Sequence, residues 1–356
     1  MGKGGRLDSP LRLDLGIVRA EPSEKIVREI LLAGMLANSY GEERSTSLRK
    51  LISSELRVPC ENISVGNGSL EILSSIARAF ITKGDSSVTI PVPTFYGYKD
   101  FSGKRGAKIT LLDSSGIEGK FETDFSLLRE LSEKSDLTFL CSPNNPTGEV
   151  FSEKEIGLLC SGSGGLVVLD QALLDPLSKE GISLSEKFGN LVLVRTFSKT
   201  RALAGLRVGF SVSEASLAEK IAGKLLPFGL NSVSQRAAMA SIKDREFQES
   251  LENLRKKRME FFLALLEENG IPVAGVCPNT VLIDLGSPGQ GKEIVSGLEK
   301  RNIFIFGGDS FDFTGLSNRF ARVSLPTEEE ADLFVKILLE EIEKLSFRRA
   351  SEKRAL

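Results

Sequence analysis

The chain has 356 residues, about two domains' worth of length, and its 46 basic side chains are nearly matched by 48 acidic ones, for a formal net charge of -2. So balanced a charge offers no broad footprint for nucleic acid, and no apolar run approaches the ~20 residues that a bilayer-crossing helix needs. The sequence contains no histidine, which removes Ser-His-Asp and Cys-His pairs, histidine-ligated metals and imidazole bases together, so any proton transfer must use Lys, Tyr, Asp, Glu or a cofactor.

In chain order, the first sixteen residues carry two early cations with no apolar run behind them, which does not read as a secretory signal; the expected compartment is the cytoplasm. Leu70, Leu73, Ala77 and Phe80 then mark one helical face, and Leu127, Leu128 and Leu131 another. Around them stand apolar runs at Ser87–Val92, Lys108–Leu112, Leu137–Cys141, Leu166–Asp170, Leu191–Thr196 and Val208–Val212. They lack strict alternation and are expected to be strands covered on both faces. The alternation predicts an α/β domain with a mostly parallel central sheet sandwiched by helices. From Arg245 to Asn269, Leu251, Leu254, Phe261, Phe262, Leu265 and Leu266 recur at helical spacing before Gly270, a good residue for a helix end. Strand patterns at Val281–Leu285, Ile303–Phe306 and Phe320–Leu325 and a helix from Glu328 to Leu345 predict a smaller α+β domain. The expected division is 37–243 for the large domain and 1–36 with 244–356 for the small one. Cys60, Cys141, Cys160 and Cys277 are widely spaced with no C-x-x-C pair, and read as buried thiols rather than a metal site or disulfide framework.

Ligands of open α/β sheets bind at the carboxyl ends of the strands, so the residues following each run are informative as a set. Val65-Gly66-Asn67-Gly68-Ser69-Leu70 is a glycine-containing turn entering a helix, where backbone N–H groups can hold a phosphate, although a Ser cap on a structural turn explains it equally well. Pro93-Thr94-Phe95-Tyr96 is a stiffened strand exit followed by aromatic rings. Ser142-Pro143-Asn144-Asn145-Pro146-Thr147-Gly148 makes an obvious turn, in an order that a turn alone does not require. Asp170 ends an apolar strand, where an unpartnered carboxylate is costly. Ser198-Lys199, with Arg207 eight residues after the lysine, combines an amine, a hydroxyl and a guanidinium.

This ordered series resembles the fold type I pyridoxal-phosphate enzymes, and within them the histidinol-phosphate aminotransferase and threonine-phosphate decarboxylase group. The motifs run from Tyr40 to Arg322, nearly the whole chain. The resemblance implies pyridoxal 5′-phosphate as cofactor, with Lys199 as Schiff-base lysine and proton shuttle and Asp170 paired with the protonated pyridine nitrogen. It further implies that Asn145 donates to the phenolic O3′ and borders the substrate, and that Phe95 stacks on the ring. Ser69, Leu70, Ser198 and Arg207 would hold the cofactor phosphate, and Arg322 the substrate carboxylate. Tyr40 corresponds to a tyrosine that in relatives reaches the partner subunit's cofactor phosphate, which implies a homodimer.

Two departures stand out. Asp170-Gln171-Ala172-Leu173 has leucine where many aminotransferases have a tyrosine that helps to hold O3′, so Tyr96, Tyr98 or water would have to substitute. The asparagine-proline motif near the start is replaced by Gly16-Ile17-Val18-Arg19-Ala20-Glu21-Pro22. The expected function is amino transfer between an amino acid or amino phosphate and a 2-oxo acid. A decarboxylase of an amino-acid phosphate is the alternative, since the same residues serve either cleavage at Cα. An inactive binding protein on the same fold is the third reading.

Overall fold

The computed structural model describes residues 7–82, 84–114, 121–308 and 313–355, with side chains as far as Phe347 and Arg348. Seven strands form the central sheet, in the spatial order Ile63–Asn67, Val208–Ser213, Leu191–Thr196, Leu166–Asp170, Leu137–Cys141, Ser87–Val92 and Lys108–Asp113. Val208–Ser213 pairs antiparallel with both its neighbours, and the other pairings are parallel. Period-two alternation splits the strand side chains between two helix-covered cores: Val167, Leu169, Leu191 and Leu193 enter one, and Val168, Val192 and Val194 the other. The order of the strands reverses between Ser87–Val92 and Leu137–Cys141, which opens a crevice at their carboxyl ends.

A four-stranded antiparallel sheet, Val273–Cys277, Thr280–Asp284, Phe320–Ser324 and Phe306–Gly307, forms the smaller body. Helices Arg245–Glu268, Pro288–Lys300 and Glu328–Ala355 accompany it, and Phe262, Leu266, Val281, Ile283, Val323 and Phe334 share its core. Gly270 ends the long helix in the left-handed region, φ +65. Leu11–Arg12 pairs parallel with Ile303–Phe304, whereas the helix Glu24–Gly34 packs on Ser232–Lys243 and puts Ile26 into the large core.

Several expectations are corrected. Ile63–Asn67 is a strand rather than only a turn: its alternating small residues lie against Val208–Ser213, which a hydrophobic pattern does not register. Lys108–Asp113 is the sheet edge and is largely exposed, not covered on both faces. The run Ile303–Phe306 splits into two short strands in different sheets, and Val273–Cys277 adds a strand that the apolar pattern missed. The last helix continues beyond Leu345 to Ala355. Cys141, Cys160 and Cys277 are buried, but Cys60 is only half-buried.

Candidate active site

The carboxyl ends of the parallel strands converge on a cavity of about 410 Å³. Of the residues singled out in the sequence, Ser69, Leu70, Phe95, Asn145, Asp170, Ser198, Lys199, Arg207 and Arg322 line it. Tyr40 does not: it is 89% exposed, with its ring 5.4 Å from that of Phe228.

At one end of the cavity the helix Gly68–Phe80 begins, and the Glu71 carboxylate closes its first turn by accepting from the Asn67 N–H at 2.6 Å and its side-chain amide at 3.1 Å. Asn67, not Ser69, occupies the cap position. Ser69 and Leu70 therefore lie within the first turn, whose N–H groups have no intrahelical acceptor and sit at the positive end of the helix dipole. Arg207 faces them from a left-handed backbone position, φ 55, donating to the Ala204 carbonyl at 2.9 Å and the Ser198 hydroxyl at 3.4 Å.

At the other end Asp170 is buried, and burial raises its pKa above the ordinary carboxylate value. Three features oppose that rise: the Tyr98 phenol donates to Oδ2 at 2.7 Å, the Ala172 N–H donates to Oδ1 at 2.9 Å, and Lys199 lies within electrostatic reach. Tyr98 is itself buried and stacked on Phe139 at 4.9 Å. It is thus committed to Asp170 and does not take over for the tyrosine absent at Leu173, which forms a buried part of the wall.

Between these ends stands Lys199, whose Nζ donates to the Leu15 carbonyl at 3.4 Å. The two asparagines of the proline-rich turn have separate tasks. Asn144 is buried and holds the turn, bonding Thr94, the Pro93 carbonyl and Thr147, whereas Asn145 faces the cavity and accepts from Arg322 Nη1 at 2.9 Å. Arg322 is only 3% exposed, not a surface strand charge; its Nη2 donates to the Asp14 carbonyl at 2.7 Å. The segment Leu13–Ile17 crosses this side of the cavity, anchored by Leu13 and Gly16 to Ser324.

Sequence reasoning singled out neither Leu15 nor Phe306, and it named Tyr98 and Ile17 only in passing. Each carries an ordinary apolar or aromatic signal, and only the packing brings them to this cavity.

Residues 10–338 match the family model described as aminotransferase class I and II. The chain belongs to this family. It is 34% identical to the histidinol-phosphate aminotransferase of Methanocaldococcus jannaschii over 324 residues, 90% of this chain and 86% of the relative. With that of Methanococcus aeolicus it is 32% identical, over 89% of this chain and 86% of the relative. Among solved structures, the Sinorhizobium meliloti histidinol-phosphate aminotransferase in complex with pyridoxal-5′-phosphate superposes with a TM-score of 0.85 at 21% identity, covering 95% and 92% of the two chains. The L-threonine-O-3-phosphate decarboxylase of Porphyromonas gingivalis gives 0.76 at 23% identity, covering 94% and 99%. These two likenesses are of fold.

The cofactor of this aminotransferase is pyridoxal 5′-phosphate, and the cavity fits it. One end gathers a guanidinium, a hydroxyl and a helix N-terminus, suited to a phosphate, and the other a buried carboxylate, suited to a protonated ring nitrogen. At the phosphate end the chain is pared to backbone: a Cβ on Gly68 would stand 2.6 Å from Arg207 Nη2.

Proposed function

We propose that this aminotransferase exchanges an amino group between an amino acid, or an amino alcohol phosphate of the kind named in its relatives, and a 2-oxo acid, in two half-reactions at the one cavity. The observation that carries the reading is that Lys199, Asp170, Arg207 and Arg322 line a single cavity. Bound pyridoxal phosphate supplies an electron sink for the electron pair left at the substrate Cα.

Lys199 would anchor the cofactor through Nζ and would carry the proton to and from Cα, the task for which the chain has no histidine. Asp170, whose carboxylate accepts from the Tyr98 phenol and the Ala172 N–H, would hold the proton on the ring nitrogen. Ser69, Leu70, Ser198 and Arg207 would bind the phosphate, Phe95 would pack on the ring and Asn145 would donate to O3′. Arg322, oriented by Asn145 and the Asp14 carbonyl, grips the substrate anion and so fixes which Cα bond is broken.

Tyr40 is assigned to the partner's site in a homodimer. Its exposed ring lies beside that of Phe228, itself exposed, which leaves an apolar pair at the surface and supports that reading. The division into 37–243 and 1–36 with 244–356 goes with this assignment, the helix Glu24–Gly34 bridging the two parts. No helix among the described residues is long and apolar enough to cross a membrane, and we assign the enzyme to the cytoplasm.

The test is borohydride reduction of the holoenzyme followed by peptide mapping, together with mass-spectrometric products from a panel of amines with and without 2-oxo acids. The expected results are a pyridoxyl group on Lys199 and oxo-acid-dependent turnover. A label elsewhere defeats the assignment of Lys199, and oxo-acid-independent release of carbon dioxide defeats amino transfer in favour of decarboxylation.

A further inference from the structure

The turn Ser142–Gly148 carries Asn145 into the cavity, and it is held from both bodies of the fold. Toward the large body, the Asn144 side chain accepts from the Thr94 hydroxyl at 2.8 Å and donates to the Pro93 carbonyl at 2.9 Å, and the Cys141 thiol donates to the Pro143 carbonyl at 3.4 Å. Toward the small body, the turn lies on the edge strand Val273–Cys277. A Cβ on Gly148, which stands at φ +80, would run into the Val276 carbonyl, and one on Gly275 into the Thr147 carbonyl, so the two backbones meet with no side chain between them.

At the end of that strand the buried Cys277 thiol reaches the Asn144 carbonyl at 3.2 Å and the Pro146 carbonyl at 3.4 Å, the carbonyls of the residues on either side of Asn145. Burial pushes the pKa of this thiol up to about 11, so at neutral pH it keeps its hydrogen and shares it between the two carbonyls. The same four-stranded sheet carries Arg322, whose Nη1 donates to Asn145 Oδ1 at 2.9 Å. One sheet thus holds Asn145 twice, its backbone through Cys277 and its side-chain oxygen through Arg322. With the oxygen engaged, the amide nitrogen is the atom left to donate, and the backbone sets its aim.

We infer that Cys277, which is not one of the residues lining the cavity, is a positioning residue for this reaction: it fixes the turn so that the Asn145 amide nitrogen is aimed at the cofactor's O3′ while the amide oxygen stays on Arg322. The inference rests on the assignment of Asn145 to O3′ proposed above. It gives a task to a buried thiol that neither cofactor anchoring nor proton transfer uses. It also ties the sheet that carries Arg322 to the ring whose electronics the Asn145 donor tunes.

The test reads the pH at which the visible absorbance of the holoenzyme changes, with no substrate present. A donor to a phenolate oxygen favours the charged form, so loss of the Asn145 bond raises that pH. Asn145→Ala sets the scale, with an expected rise of about one unit. Cys277→Val, close in volume and without a donor, should give at least about half of that rise, and Cys277→Ser, which returns a donor, should recover most of it. Where Cys277→Val folds poorly, Gly275→Ala pushes on the same turn from the same strand and should move the transition the same way. A transition unmoved by these variants while Asn145→Ala moves it overturns the inference and leaves the role of Asn145 standing. A shift as large in Cys277→Ser as in Cys277→Val overturns it too, because the donor would then be irrelevant. A transition unmoved by Asn145→Ala defeats the role of Asn145 itself, and the inference falls with it.

Discussion

Replacing Tyr98 with phenylalanine removes one oxygen from a buried site and changes little else, so it isolates what the phenol does for Asp170. Burial pushes the Tyr98 phenol well above its ordinary value, with the Asp170 charge as a second cause, so it stays a donor at any working pH. A hydrogen bond to a charged group is worth about 1.5–3 kcal/mol, against ~1 kcal/mol for a neutral pair. In a cycle of Tyr98→Phe, Asp170→Asn and the double variant, the coupling at neutral pH should therefore be about 1–2 kcal/mol, measured by denaturant unfolding of the cofactor-free protein. Because desolvation raises the Asp170 pKa above 3.8 in the folded state, the stability that this group contributes is present below that value and lost as pH rises through the raised one. Tyr98→Phe raises it further, so the variant should lose more stability at pH 7 than at pH 4. A coupling near zero, or a deficit that grows on acidification, would refute the reasoning.

Arg195 is fully buried on the strand Leu191–Thr196, where it bonds the Gln171 side chain and the carbonyls of Pro176, Ser178 and Glu180; burial pushes its pKa down to about 10, and it remains a cation at neutral pH. Arg195→Met leaves those acceptors unpaired at about 1–3 kcal/mol each, so unfolding should show a loss of more than ~3 kcal/mol, and a loss under ~1 would contradict the assignment. Gly16→Val forces an L-residue to φ +62, a strain of roughly 1–2 kcal/mol, and adds bulk beside Lys199 and Arg322; kcat/KM should fall at least about tenfold, and unchanged kinetics would count against the segment Leu13–Ile17 bordering the reacting groups. Mixing inactive Tyr40→Ala and Lys199→Ala subunits should regenerate one intact site per heterodimer, and no recovery despite subunit exchange would exclude a shared site.

The sequence made the strand ends legible because each buried parallel strand is an apolar run terminated by a polar residue with no local structural reason to be there. Asp170 and Lys199 stand out for that reason, and the turn Ser142–Gly148 through its composition. Ile63–Asn67 was not read as a strand because only Ile63 and Val65 mark it before the glycine-containing turn; its place comes from pairing with a segment more than 140 residues later. Tyr98 was visible only as one of two candidate hydroxyls, since nothing near it in the chain announces a bond to Asp170, 72 residues away. Lys108–Asp113 looks interior by composition and lies at the edge because the strand order reverses on the far side of Ser87–Val92, its one neighbour in the sheet.

The segment Leu13–Ile17 touches the reacting groups mainly through its main chain: the carbonyl of Asp14 holds Arg322, that of Leu15 meets Lys199, and the Gly16 N–H bonds Ser324. Contacts of this kind survive replacement of the side chains that frame them, so an alanine scan at positions 14 and 15 would pass over a part of the site that a backbone change exposes. An ester in place of the Leu15–Gly16 amide removes the N–H that bonds Ser324 while leaving the neighbouring side chains as they are. Evolution can likewise vary the residues here while keeping the path of the chain, so a short stretch with little recognisable sequence can still be fixed in shape by what it does.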